Sequence, residues 1–211
     1  MTPGSVTWLP DAPGTVTDLE VFGSVSPIRK VTEQVAFDDG WDASRRDKVR
    51  ELFDGMAAEW SSRFGDEREA SIIDALDRGG VRGDKVVELG AGSGLGTNEI
   101  AARAADLVAL DLSMKMLREQ SGGTPLVQGD ASTLPLPDAA VDTLVLVNMF
   151  LFPSEVDRVL TGAGRLLWIN TNGHETPIYL SPEDVVAAMP GSWTAIAGRA
   201  GTGIWAAVDR V

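Results

Sequence analysis

The chain has 211 residues, a formal net charge of −13 from 18 basic and 31 acidic side chains, a single histidine (His174) and no cysteine. These figures exclude a disulfide framework, a thiolate metal site, a cysteine nucleophile and, within one chain, any multi-histidine metal centre. The acidic balance, with no lysine- or arginine-rich run, argues against a surface that wraps nucleic acid, while 44% hydrophobic residues is enough for one sizeable packed domain.

Residues 1–42 are broken by Pro3, Pro10, Pro13 and Pro27 and by Gly4, Gly14 and Gly23. That pattern predicts an irregular N-terminal segment able to serve as a lid, with residues 15–22 and 28–37 as short extended stretches rich in β-branched side chains. From Ala43 the rhythm is helical: Val49, Leu52, Phe53, Met56, Ala57, Trp60 and Phe64 recur at spacings of three and four. A second helix over 67–76 buries Ile72, Ile73 and Leu76 and stops at Gly79-Gly80. Strand–helix alternation follows. Strands are expected at 85–89, 107–110, 125–128, 141–148 and 165–170, and helices at 97–104, 113–120 and 154–160, Ser113 being a natural N-cap. Ser181-Pro182-Glu183-Asp184 opens another helix with a serine cap, proline at the first position and acids in the first turn. Residues 193–197 and 204–208 read as an antiparallel hairpin. Short apolar strands alternating with helices imply an α/β, doubly wound, mostly parallel sheet with helices on both faces, residues 43–211 forming one domain. No apolar run reaches membrane-span length, and the N-terminus lacks the basic start and apolar stretch of a signal peptide, so a cytoplasmic location with no membrane partner is expected.

Chemistry concentrates after the first strand of that alternation, in VVELGAGSGLGT at residues 86–97. Glycines between a strand and a helix let backbone approach a ligand closely and turn a helix N-terminus toward it. A dinucleotide turn of the G-x-G-x-x-G type fails in both frames, since its third glycine falls on Leu95 or on Thr97. The pattern present is E-x-G-x-G-x-G, from Glu88 through Gly90 and Gly92 to Gly94.

Here the chain resembles the class I S-adenosylmethionine-dependent methyltransferases, particularly the small-molecule type related to ubiquinone- and menaquinone-pathway C-methyltransferases. LVALDLSMKML at the end of the second strand matches the family's D-x-S-x-x-M-L through Asp111, Ser113, Met116 and Leu117. QGDASTLPLPDAAVD matches its G-D-A-x-x-L-P pattern through Asp130, Ala131, Leu134, Pro135, Asp138 and Asp142. Phe53-Asp54-x-x-Ala57-x-x-Trp60 is similar to F-D-x-x-A-x-x-Y, with tryptophan in place of tyrosine. The similarity covers residues 49–170.

The resemblance implies S-adenosylmethionine as cofactor. Gly90, Ala91, Gly92 and Gly94 would form the loop beneath its methionine and ribose, and Glu88 would anchor that loop and help receive the amino group. Asp111, with Leu112 beside it, would accept from both ribose hydroxyls. Asp130 would accept from the adenine amino group, while the Ala131 N–H would read a ring nitrogen. Asn148 would lie near the methyl to be moved. Trp60 has two readings, core residue of its helix or aromatic face toward the cofactor and acceptor. Asp138 and Asp142 receive no site role.

Methyl transfer from a sulfonium needs no protein nucleophile, but an oxygen or amine acceptor can need a base. His174, in the loop after the fifth strand, is the candidate on pKa grounds, against the alternative of a solvent-facing loop residue. Met149, Phe150, Leu151 and Phe152 suggest a small, partly hydrophobic acceptor. Two other functions share these features: a non-catalytic cofactor-binding or regulatory protein, and an NAD(P)-dependent oxidoreductase, which leaves the Asp130 motif unexplained.

Overall fold

Apolar runs bounded by glycine, proline and aspartate become strands of a single sheet. The computed structural model describes residues 2, 4–16, 27–60 and 68–211. In chain order these form β1 (Val6–Trp8), α1 (Pro27–Phe37), α2 (Ala43–Trp60), α3 (Glu69–Asp74), β2 (Lys85–Leu89), α4 (Thr97–Ala101), β3 (Asp106–Asp111), α5 (Met114–Arg118), β4 (Leu126–Gln128), β5 (Val141–Val147), α6 (Pro153–Val159), β6 (Leu160–Asn170), α7 (Pro182–Ala188), β7 (Trp193–Ala200) and β8 (Gly203–Arg210). The sheet order is β1-β7-β8-β6-β5-β2-β3-β4. Neighbouring strands from β6 through β5, β2 and β3 to β4 pair in parallel, β8 runs antiparallel between β6 and β7, and β1 adds a parallel edge to β7. This is the expected Rossmann-like sheet with its C-terminal hairpin.

Successive side chains on a strand point to opposite faces, and here both faces are apolar. On one face Val86, Val145, Val147, Leu167, Ile169, Trp205 and Ala207 pack with Ile72, Ala75 and Leu76 of the α3 segment and with Ile100 of α4. On the other, Val87, Leu89, Leu144, Leu146, Leu166, Trp168, Ala206 and Val208 pack with α1, α6 and α7. The chain therefore alternates between two cores strand by strand. Helix starts follow their predicted chemistry: the Ser113 hydroxyl accepts from the Met116 N–H at 3.1 Å, and Ser181 and Asp184 form a reciprocal capping box ahead of α7.

The N-terminal part departs from expectation. Residues 28–37, read as extended, form the helix α1. Their β-branched side chains mimic a strand, yet Thr32, Val35 and Ala36 fall at helical spacing and are buried, and the Thr32 hydroxyl bonds back to the Ile28 carbonyl at 2.9 Å. Val6–Trp8, inside the segment expected to be irregular, is a strand because β7 offers it a ladder. The expected stretch at 15–22 lies largely outside the described residues, as do Phe64 and Glu67. Past Asp74, α3 widens into a π-helical turn, Ala75–Gly80.

Trp205 joins the sheet to that turn. Its ring is fully buried, its indole N–H donates to Asp74 Oδ2 at 2.6 Å, and Gly79 and Gly198 lie so close that a Cβ at Gly198 would stand 2.6 Å from the ring. Replacing Trp205 by Ala is expected to lower the unfolding free energy by about 3–5 kcal/mol, from lost burial plus the cavity. Equilibrium denaturation measures it, and a loss below ~1 kcal/mol would contradict this packing.

Candidate active site

The carboxyl ends of β5, β2, β3 and β4 open side by side onto one cleft, lined mostly by apolar side chains and glycines. Three acids are delivered there by three neighbouring strands: Glu88 is the penultimate residue of β2, Asp111 the last of β3, and Asp130 follows β4 by two residues.

Between Glu88 and Asp111 runs the glycine turn. The N–H groups of Gly90 and Ala91 both donate to the Leu110 carbonyl, at 2.8 and 3.1 Å, which folds the turn over the end of β3. Gly90 has φ +71°, and a Cβ there would stand 2.5 Å from Met149 Sδ, so only glycine lets the turn pass. Gly92 has φ +53°, with nothing within 4 Å of an added Cβ: its space opens into the cleft. Its N–H donates to Asp111 Oδ2 at 2.8 Å, and its carbonyl accepts from Gln120 Nε2 at 2.9 Å. Gly94 shapes the turn, its N–H reaching the Ala91 carbonyl at 3.0 Å, but it is not part of the cleft lining.

The acids sit in different electrostatic surroundings. Glu88 is 1% exposed, and burial pushes its pKa up to about 8, opposed by the Thr97 hydroxyl donating to Oε2 at 2.7 Å and reinforced by the charge of Asp111. Burial also raises Asp111, against the N–H groups of Ser113 (2.7 Å) and Gly92 that favour its ionised form, while the nearby charge of Asp54 pushes it further up. Asp130 accepts from the Ser132 N–H at 2.9 Å and from the Trp41 indole N–H at 3.2 Å.

Of the residues expected at the site, Glu88, Gly90, Ala91, Gly92, Asp111, Leu112, Asp130, Ala131, Asn148 and Trp60 all line this cleft. Asn148, at φ +50°, uses its amide to tie β5 to the chain beyond β6: Nδ2 donates to Thr171 Oγ1 and Oδ1 accepts from the Thr171 N–H, both at 2.9 Å. His174 is not in the lining. It sits in a 3₁₀ turn, Gly173–Glu175, with its side chain 44% exposed and Nε2 3.5 Å from Glu175 Oε1.

The helix α2 faces the cleft. Leu52 is 45% exposed and Ala57 is its one buried residue, whereas Val49, Phe53 and Trp60 line the cavity, the last two rings meeting edge-on at 5.6 Å. The apolar spacing of this helix thus serves both the cavity and the edge of the core, where Val49 and Phe53 pack. Among the lining residues that sequence reasoning missed are Trp41 and Arg68. Trp41 packs its indole on Phe150 and Phe152, with centroids at 5.7 and 5.2 Å. Arg68, whose pKa burial lowers, is the one arginine or lysine in the lining among the described residues. A lone tryptophan after Asp38-Asp39-Gly40 shows no periodicity that marks it.

Residues 87–170 match the family of methyltransferase domains. The chain is 34% identical over 128 residues to a demethylmenaquinone methyltransferase of Mycolicibacterium gilvum, covering 55% of each. It is 33% identical over 109 residues to a Mycobacterium tuberculosis protein named as a probable S-adenosylmethionine-dependent methyltransferase, covering 44% of this chain and 40% of that one. The chain thus spans about half the length of these curated relatives. Among solved structures, the DhpI–SAH complex superposes with a TM-score of 0.65 at 19% identity, over 78% of this chain and 96% of the other, a likeness of fold. No helix among the described residues is long and apolar enough to cross a membrane. Residues 87–170 thus match a methyltransferase domain, and the relatives that align with the chain are themselves named as methyltransferases.

Proposed function

We propose that the chain transfers the methyl group of S-adenosylmethionine to a small, partly apolar acceptor by in-line displacement. The observation that carries this reading is the convergence of Glu88, Asp111 and Asp130, from the ends of three adjacent parallel strands, on one cleft around the Gly90–Gly92 turn.

The residues present fit that cofactor. The open space beside Gly92 admits a ligand against the backbone, and a buried acid whose ionisation is opposed by burial is a natural partner for a ligand ammonium. In this reading Glu88 takes the amino group. Both Asp111 oxygens, each accepting one backbone N–H, retain lone pairs for the ribose hydroxyls. Asp130 and the Ala131 N–H take the adenine edge. Gly94 keeps the turn in shape, and Asn148 holds the wall beside the methionine.

Bound S-adenosylmethionine supplies an electrophilic methyl on a sulfonium. The chain's own task is then to orient an acceptor, exclude water and leave the developing charges in a fixed environment. The aromatic rings of Phe53, Trp60, Phe150 and Phe152, with Val49 and Ile178, give the cleft an apolar wall suited to that task. Trp60 belongs to this wall, and Trp41, in the chain leading into α2, covers its Phe150–Phe152 side. We place His174 outside the transfer step, because its side chain lies beyond the lining and faces Glu175.

Three outcomes are expected. In a methyl-release screen over phenols, acids, amines and thiols, the wild-type chain turns over S-adenosylmethionine, and Asp111→Ala lowers kcat/KM by at least about tenfold, the order of one charge-assisted hydrogen bond. Absence of turnover with every acceptor class would refute the transferase reading. His174→Ala leaves the rate within about twofold of wild type, since a group that touches no reacting atom changes no barrier, and a larger loss would return it to the site.

Glu88 also sets a pH dependence of the cofactor-free protein. Its folded pKa of about 8 lies above the ordinary glutamate value of 4.5, so between the two the folded chain holds a proton that the unfolded chain has released. Stability should fall as pH rises between those two values. Glu88→Gln removes this slope. Its melting temperature should exceed wild type near pH 8 and converge with it near pH 5; parallel profiles would show that Glu88 titrates normally.

A further inference from the structure

Asp54 follows Phe53 on α2 but does not line the cleft. Its Oδ1 accepts the hydroxyl proton of Ser113, across 59 positions of sequence. Ser113 is fully buried and makes two more bonds: its Oγ accepts from the Met116 N–H at 3.1 Å as N-cap of α5, and its own N–H donates to Asp111 Oδ1 at 2.7 Å. The polarity of this chain is determined. A hydroxyl whose lone pair is committed to the N-cap must send its proton elsewhere, and Asp54 is the acceptor provided.

The link adds a polar tie to a helix whose Val49 and Phe53 are partly buried against the core. Ala57 is its one buried residue, it packs on α5, and its Val49, Phe53 and Trp60 form the acceptor-side wall. The N-terminal approach to α2 is fastened in a parallel way, the Trp41 indole N–H reaching Asp130. Both carboxylates assigned to the adenosine portion are therefore tied to the α2 segment.

We propose that Asp54 is a positioning residue that, through Ser113, fastens the acceptor-side helix α2 to the carboxylate assigned to the cofactor ribose, so that cofactor affinity depends on a side chain outside the cleft. This rests on the reading of Asp111 given above. When Asp54 is removed, the Ser113 hydroxyl loses its acceptor beside the N–H that Asp111 holds, and α2 loses its tie to the β3 end, keeping those of Arg45 to Gln34 and Gly40. Asp54 also acts through charge. It raises Asp111, whose charge in turn raises Glu88 on β2. Ionised Asp111 is the form that accepts from two hydroxyls, so affinity is lost as pH falls through its pKa. An uncharged residue at position 54 moves that acid limb to lower pH, whereas a limb set by Glu88 stays where it is.

Calorimetric titration with S-adenosylhomocysteine tests this on the full chain, each variant first checked for a cooperative melt above the working temperature. Asp54→Ala is expected to bind roughly tenfold more weakly, and Asp54→Asn, whose amide oxygen still accepts from Ser113, within about threefold of wild type at neutral pH. The Asp54→Asn profile should show its acid limb displaced to lower pH. Asp54→Ala combined with Ser113→Ala should be no weaker than the weaker single variant, since both break one chain of bonds. Wild-type affinity in folded Asp54→Ala, with an unmoved acid limb in Asp54→Asn, would overturn the proposal while leaving the cofactor site intact. Failure of the wild-type chain itself to bind S-adenosylhomocysteine would overturn the underlying reading as well.

Discussion

Three carboxyl groups share one cleft in a chain that already carries a net charge of −13, and this constraint organises the rest of the site. Parallel strands place successive acids at their carboxyl ends, where α/β sheets bind ligands. There the surrounding sheet removes water and raises the cost of each charge. The chain answers locally. Thr97 donates to Glu88, the N–H groups of Gly92 and Ser113 to Asp111, and Ser132 and Trp41 to Asp130. For Glu88 one hydroxyl is not enough against burial, and its carboxyl stays protonated to about pH 8. A cationic group delivered next to it changes that balance, which is how a site built from acids prefers a positively charged ligand.

The wall opposite the acids depends on the same bonds. The helix α2 contributes aromatic surface to the cleft, packs Val49 and Phe53 partly against the core, and is tied to the end of β3 by the Asp54–Ser113 bond. Its exposed Leu52 is a consequence: a helix held over a cavity presents part of its apolar stripe to solvent. The β7–β8 hairpin and the Trp205–Asp74 contact do a separate job, completing the sheet far from the acids.

Much of this was legible in the sequence because it is written in local chemistry. Glycines at Gly90 and Gly92 and acids at Glu88, Asp111 and Asp130 follow apolar strands directly, and a parallel sheet brings such strand ends together whatever the loops do. The caps at Ser113 and Ser181 were equally readable, since a cap needs only its neighbours. What escaped depends on distant partners. Val6–Trp8 is too short to show alternation and is a strand because β7 receives it. Residues 28–37 carry strand-like side chains, but a core placed on one side selects the helix. Trp41 gains its role from Asp130, 89 positions away, and Asp54 from Ser113. His174 was chosen by residue type and topological position, which do not determine where a ring in a 3₁₀ turn points.

The most direct measurement is the number of protons exchanged when the cofactor binds. Calorimetry of S-adenosylhomocysteine binding at about pH 6.5, in buffers of different ionisation enthalpy, reads it without any acceptor. If the buried Glu88 carboxyl is protonated in the free protein and ionised against the ligand ammonium, about one proton leaves per cofactor bound, and the release disappears in Glu88→Gln. Binding with no proton release in the wild-type chain would contradict the account of how these acids make the site.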